Sequence, residues 1–323
     1  MSADTILGVI LAAGQGRRLG ALGEKCVKAL LPVANEPVIA HHLHLLHWLG
    51  VRRVLVIVGH HAEQVEAAVG SGDRYGMEVE FIRQGQPLGS AHALGLVRRY
   101  VDVPFLLLLG DYYFVAPNAA VMLDHLRNGN SCIAAKREPD ERLVREACAV
   151  EIAEDHRVTS IVEKPMRPAT NLKGCGFYAL MPEVFDAVAR TPRTALRDEY
   201  ELTVSLELLL QTRNRLFAEE IIEWDNNITR PEDLLQCNLE WLARRGLNNL
   251  VSTRAFVDKQ VALDEAVIGD GAAVRDGAQL QRVVVFPDAD LVGFDVLESA
   301  LVTRDGLISC EIPGQTASQV SSR

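Results

Sequence analysis

The stretch ILAAGQGRRLG, Ile10–Gly20, sets Gly14, Gly16, Arg17 and Arg18 directly after an apolar run. Glycine lets backbone N–H groups come close to a ligand, and the planar donor fork of arginine fits phosphate. A chain leaving a strand in this way suits a phosphate-bearing ligand. The dinucleotide fingerprint is not met: Leu19 stands where its third glycine belongs, and Gly59-His60-His61 stands where an acidic ribose reader would end the second strand. Two further places could carry chemistry. Asp111 follows the apolar run Phe105–Leu109, where a carboxylate can hold Mg²⁺ or merely cap a helix. Glu163-Lys164-Pro165 puts an acceptor beside a cation, and without other support it reads as a solvated turn.

These residues need a frame to hold them. Ile6–Leu11, Val54–Val58, Val79–Ile82 and Phe105–Leu109 are short apolar runs suited to strands buried on both faces. Pro37–Leu49, Ala62–Val69 and Ser90–Tyr100 between them read as helices. Such alternation predicts a doubly wound α/β sheet with its ligands at the carboxyl ends of the strands. Less regular strands follow at Ser131–Ala135, Ala149–Ile152, Val158–Val162 and Cys175–Leu180, predicting an inserted mixed-sheet region over the site. A helix at Leu202–Gln211, a strand at Leu216–Ile222 and a Pro231-initiated helix to Arg245 complete this part. Beyond residue 250, Ile268, Val274 and Leu280 recur every six residues, the spacing of a parallel β-helix of two or three coils; a plain β-rich appendage is the alternative.

Composition narrows the partners. Lysine and arginine number 33 against 43 acidic residues, a net charge of −10 that gives no general attraction to nucleic acid or anionic membrane. No apolar stretch is long enough to span a bilayer, and the start lacks the basic region of a signal peptide. The six cysteines are scattered without a C-x-x-C pair, which suits reduced thiols and a cytoplasmic protein, although one disulfide stays open.

The segment LAAGQGRRLGALGEKCVKALLPVANEPVI resembles the opening signature of the sugar-1-phosphate nucleotidyltransferases, L-A-A-G-x-G-T-R-L followed by P-K-x-L-L-P-V. Arg18 and Lys28 match its charged positions, while Arg17 and Val27 replace a threonine and a proline. QGQPLGSAHAL, LLGDYYF, SIVEKP, GCGFYAL and NNITRPEDLLQCN match later motifs in the family's order, so the resemblance spans about residues 6–240. It implies a Rossmann-like mixed sheet over residues 1–247, and for 248–323 a short left-handed parallel β-helix with a flexible tail. It also implies a reaction: a nucleoside triphosphate is joined to a sugar 1-phosphate and pyrophosphate leaves. In-line attack by a phosphate already ionised near neutral pH needs no general base, so positioning and charge neutralisation suffice.

Roles carry over by motif. Leu11, Ala12, Ala13, Gly14, Gly16 and Arg17 are expected to cradle the triphosphate, with Arg18 on the leaving pyrophosphate and Lys28 toward the reacting phosphates. Gln84, Pro87, Gly89 and Ser90 form the expected base loop, in which Gln84 would both donate to and accept from a pyrimidine edge. That favours UTP or dTTP over GTP or ATP. Lys164 is expected on the sugar phosphate and Glu163 on sugar hydroxyls, with Cys148, Gly174 and Gly176 lining the acceptor side. Cys148 and Gly174 depart from the family's glycine and its asparagine or threonine, which leaves room for an unusual acceptor such as a cyclitol phosphate. Mg²⁺ is the implied cofactor, with Asp111 as first ligand and Asn227 as second, Asp225 being the reserve.

Several features read as bland. His41–His47 is expected to be an exposed helix face, REPDERLVREAC a solvated loop, and Cys175 an inert thiol. A non-catalytic nucleotide-sugar-binding protein is the rival class, but Arg18, Lys28, Asp111 and Lys164 are all present. Acetyl transfer by the tail is disfavoured because no histidine follows His156, leaving it a structural or oligomer-contact role.

Overall fold

The structure, a computed structural model, describes residues 6–195, 198–212, 215–311 and 320–322. The side chain of Arg17 and most of the expected flexible tail lie outside the described residues. Two compact units divide the chain: residues up to Gln15 with Val27–Ala29 and Ile39–Asn226, and Gly16–Cys26 with Leu30–Val38 and everything from Asn227.

In the first unit the apolar runs form the expected strands β1 (Leu7–Ala12), β2 (Arg53–Val58), β3 (Glu78–Arg83) and β4 (Phe105–Leu109). β1 is buried along its whole length and pairs in parallel with β2 through Val9↔Leu55 and with β4 through Val9↔Leu107. Helices α1 (Val38–Trp48), α2 (Ala62–Val69) and α3 (Ser90–Gly95) occupy the expected stretches, though α3 stops early and yields to a 3-10 turn at Arg98–Tyr100. Next come β5 (Tyr112–Val115), β6 (Ser131–Arg137), β7 (Cys148–Ile152), β8 (Val158–Glu163), β9 (Leu172–Leu180), β10 (Leu216–Glu220) and β11 (Trp224–Asn227).

The main sheet has nine strands, in the order β8-β7-β9-β4-β1-β2-β3, with β6 and then β10 branching from β9. β9 makes it a mixed sheet, since it runs antiparallel to β4, β6 and β7. One face is sealed by a core that includes Phe105, Leu107, Ile133, Cys148, Tyr178 and Leu206. Over the other lies a ribbon of β5 paired with β11, joined to the sheet by the stacked rings of Phe114 and Phe177 at 5.5 Å. The charged stretch expected as a loop contains a helix, Glu141–Glu146. The Asp140 side chain caps it by accepting from Arg142 N at 2.9 Å, which compensates for its lack of an apolar face.

The second unit contains α4 (Pro231–Arg244), opened by Pro231 and by Asp233, whose carboxylate accepts from the backbone of Thr229 and Arg230. The expected boundary at 247 and 248 therefore differs from the compact units, for a physical reason. Buried Asn238 on α4 accepts from Ala34 N at 2.8 Å and donates to Pro32 O at 3.0 Å, and Asn35 donates to Ile268 O. These bonds tie α4 to the Leu30–Val38 segment, and that segment to the C-terminal strands.

Those strands form a parallel coil. Asn249 pairs with Ala266, Phe256 with Ala273 and Ala262 with Gln279, each partner 17 residues on as in the Asn249 side-chain bond to Ala266 N. A turn of this coil steps six, six and then five residues, through Ile268, Val274 and Leu280 to Val285, Leu291 and Leu297, all of them buried. The five-residue step explains why the six-residue spacing fades on either side. Antiparallel strands Gly306–Ser309 and Val320–Ser322 flank the last rung, Phe294–Thr303.

Candidate active site

The carboxyl ends of β1, β2 and β4 meet tightly. Gly110 N donates to Leu11 O at 2.8 Å, and a Cβ on Gly59 would stand 2.8 Å from Ala13 O. Leu11, Ala12 and Ala13 are buried, whereas Gly14 is exposed with nothing within 4 Å of where its Cβ would be. The backbone is thus open at the point expected to meet phosphate. Lys28 Nζ lies 3.0 Å from Asp111 Oδ2, and the lysine is 8% exposed. The expected phosphate cation and the expected metal carboxylate therefore partner each other in this structure.

In the second unit Gly16, at φ +64°, turns the chain into the 3-10 segment Arg17–Leu19, closed by Leu19 N donating to Gly16 O. Arg18 is exposed on that turn. Asn227 Oδ1 is buried and has no hydrogen-bond partner among the described residues. An orphaned buried oxygen suits a ligand-binding role. Asp225 does not share that role. Its side chain is fully buried, with Lys173 Nζ 3.1 Å from Oδ2 and Lys136 Nζ 3.6 Å from Oδ1, so two ammonium groups stand where a cation would have to enter. The carboxylate expected as the reserve ligand is thus engaged by two lysines in this structure. Among the described residues neither oxygen meets the geometry of an aligned hydrogen bond. Burial alone would lower the Lys173 pKa, but Asp225 and Glu138 outweigh it and hold the pKa above its ordinary value.

The loop expected to meet the base is built as a latch. Gly89, at φ +108°, packs so closely that a Cβ would fall 2.4 Å from Tyr200 O. Ser90 Oγ accepts from Leu202 N, and Tyr200 N donates to Leu88 O, so the loop that contains Pro87 is fastened at both ends. Gln84 Nε2 donates to Gly89 O at 3.3 Å and to His92 Nδ1 at 2.8 Å. Both amide hydrogens are thereby used.

On the acceptor side, Cys148 pairs with both Glu163 and Gly174 across neighbouring strands. Thr203 Oγ1 donates to Glu163 Oε2 at 3.1 Å, and Lys164 Nζ is 3.8 Å from Glu163 Oε1. Lys164 holds φ +44°, uncommon for a side-chain-bearing residue, while its N–H donates to Ala147 O. A Cβ at Gly176 would come 2.8 Å from the Tyr112 ring, and one at Gly174 would come 2.6 Å from Cys148 Sγ. The two departures from the family pattern are therefore one exchange, with the thiol filling space that Gly174 leaves. Gly174→Ala should lower the melting temperature by several degrees through overpacking. In a Cys148→Ala background, which removes the sulfur, that cost should largely disappear. Equal melting-temperature losses in both backgrounds would refute the coupling. Burial pushes the Cys148 thiol up to about 12 and Cys175 well above its ordinary value, so neither is a nucleophile.

Sequence reading missed His42, which lies in the supposedly exposed HHLHLLH face. It is 3% exposed, its Nε2 donates to Tyr112 O at 2.8 Å, and burial lowers its pKa to about 4. It also missed the cluster of Lys136, Glu138, Lys173 and Asp225. A lysine inside the otherwise apolar strand LKGCGFYAL was the available signal, since such a charge requires a partner.

The Nucleotidyl transferase family profile matches residues 7–242. The low-salt glycan biosynthesis nucleotidyltransferase Agl11 of Haloferax volcanii is 32% identical over 263 residues, covering 80% of this chain and 73% of that protein. The UTP–glucose-1-phosphate uridylyltransferase AglF of the same organism is 31% identical, over 70% of this chain and 92% of that protein. A solved UDP-glucose pyrophosphorylase complexed with UDP-glucose superposes with a TM-score of 0.66, covering 74% of this chain and 99% of that one; at 19% identity it shows the fold alone. The chain belongs to the sugar-1-phosphate nucleotidyltransferase family and is an enzyme of nucleotidyl transfer. Among the described residues no helix is long and apolar enough to cross a membrane.

Proposed function

We propose that this enzyme transfers the nucleotidyl group of UTP or dTTP to a sugar 1-phosphate or a sugar-like cyclitol phosphate, releasing pyrophosphate, with Mg²⁺ as its metal. The observation that carries the reading is the Lys28–Asp111 pair at the carboxyl ends of parallel strands, beside the open backbone at Gly14. The residues present suit the metal: Asp111 offers a partly exposed carboxylate, and Mg²⁺ takes oxygen ligands while keeping waters. When bound, Mg²⁺ supplies charge neutralisation at the phosphates.

The protein's own groups do the rest. Backbone N–H groups at Ala13–Gly16 receive phosphate oxygens, and Arg18 holds the pyrophosphate portion. Lys28 turns from Asp111 toward the reacting phosphates. Lys164, set by its unusual backbone conformation, presents its ammonium to the incoming sugar phosphate, and Glu163 accepts from acceptor hydroxyls. We place the enzyme in the cytoplasm, which the scattered spacing of its six cysteines, without a C-x-x-C pair, supports. We read the coil as a left-handed parallel β-helix with a structural or oligomer-contact role.

Base choice rests on Gln84. With both amide hydrogens engaged, its free oxygen accepts from N3–H of uracil or thymine. Guanine N1–H satisfies the same acceptor, which makes guanylyl transfer the second reading, whereas adenine presents an acceptor there. UTP or dTTP is expected to exceed ATP in kcat/KM by a factor of roughly 10²–10⁴, because ATP leaves buried polar groups unpaired. Comparing kcat/KM for UTP, dTTP, GTP and ATP with one acceptor checks this. A clear preference for ATP would remove Gln84 as the base reader.

A further inference from the structure

Lys136 and Lys173 are direct cross-strand partners on antiparallel β6 and β9. Like charges so placed repel, and burial raises the cost. They are tolerated because two carboxylates complete the square. Lys136 Nζ lies 3.0 Å from Glu138 Oε2 and 3.6 Å from Asp225 Oδ1, and Lys173 Nζ lies 3.5 Å from Glu138 Oε2 and 3.1 Å from Asp225 Oδ2. Exchanging such a cluster for apolar residues is often neutral or stabilising, so net stability is a weak reason for it. Its charges do define position.

Lys136 and Lys173 come from strands of the main sheet, Glu138 directly follows β6, and Asp225 comes from the ribbon that lies over that sheet. The ribbon's other strand, β5, begins directly after Asp111. Two further fastenings of β5 are the Phe114–Phe177 stack and the bond from His42 to Tyr112 O. Stacked rings can slide, whereas a carboxylate facing two ammonium groups has one favourable seat. We infer that Lys173 and Asp225 are positioning residues. Their buried ion pair fixes the register of the ribbon on the sheet, and so sets the place of Asp111 as a ligand for the divalent cation. The inference rests on the metal assignment made above.

Mn²⁺ binding to the full chain, followed by electron paramagnetic resonance without substrates, tests it independently of turnover. Lys173→Met should weaken Mn²⁺ binding by roughly tenfold or more, as disturbed supports of metal ligands commonly do. Lys173→Arg should restore most of that loss. Asp225→Asn keeps the volume and should weaken Mn²⁺ binding in the same direction, which preserves a test should Lys173→Met fail to fold. A double Lys173→Met/Asp225→Leu variant should recover thermal stability without recovering Mn²⁺ affinity. Folded Lys173→Met or Asp225→Asn protein with the wild-type Mn²⁺ affinity would overturn the positioning role while leaving the metal assignment intact. Wild-type protein that binds no Mn²⁺ would overturn both.

Discussion

Asp111→Ala is expected to lose nucleotidyl transfer by roughly 10³-fold or more in kcat, and saturating Mg²⁺ is not expected to restore it. A site with few protein ligands depends heavily on each, and Asp111 is the carboxylate at the end of β4. The same substitution leaves Lys28, 8% exposed, without its 3.0 Å partner. Some loss of stability should therefore accompany the loss of rate. Asp111→Asn separates the two effects, since it keeps an oxygen near Lys28 but lacks the negative charge. Steady-state kinetics across Mg²⁺ concentrations, with melting temperatures for both variants, provide the check. Near-normal turnover of Asp111→Ala at saturating Mg²⁺ would remove Asp111 from the metal.

Lys28→Ala and Arg18→Ala should each lower kcat by a factor of roughly 10²–10³, the range for deleting one preorganised charge from a transition state. Lys28 is a buried cation and Arg18 an exposed one, so the two should differ in their secondary effects. Lys28→Ala removes the neutralising partner of Asp111 and should also lower the melting temperature, whereas Arg18→Ala should leave it nearly unchanged. A rise in KM with kcat unchanged would mean that the residue binds the ground state only.

Much of this architecture can be read along the chain because its signals are local. Strands β1, β2 and β4 are largely apolar runs, as strands buried on both faces must be, and Ile268, Val274 and Leu280 mark buried positions of the C-terminal strands by their spacing. The loop expected to meet the base and the Asp111 strand end are likewise contiguous motifs. What escaped depends on pairing between distant segments. Asp225 reads as a spare metal ligand until β9 places Lys173 beside it, 52 positions away in sequence but 3.1 Å in space. His42 sits among four histidines on one helix, and its burial, its stacking on Phe114 and its bond to the carbonyl of Tyr112 distinguish it. The Glu141–Glu146 helix was obscured for another reason: a cap and an ion pair from Arg145 to Glu141 support it without a full apolar face.

The central claim, direct transfer of a nucleotidyl group to a sugar 1-phosphate, is tested most directly by following UTP labelled at the α-phosphorus. Purified enzyme, Mg²⁺, labelled UTP and a panel of sugar and cyclitol phosphates are combined, and nucleotide sugar, pyrophosphate and protein-bound label are measured together. The account predicts label in a nucleotide sugar with one pyrophosphate released per transfer, none without an acceptor, and no label on the protein. Pyrophosphate released without an acceptor, or label trapped on the protein, would contradict it.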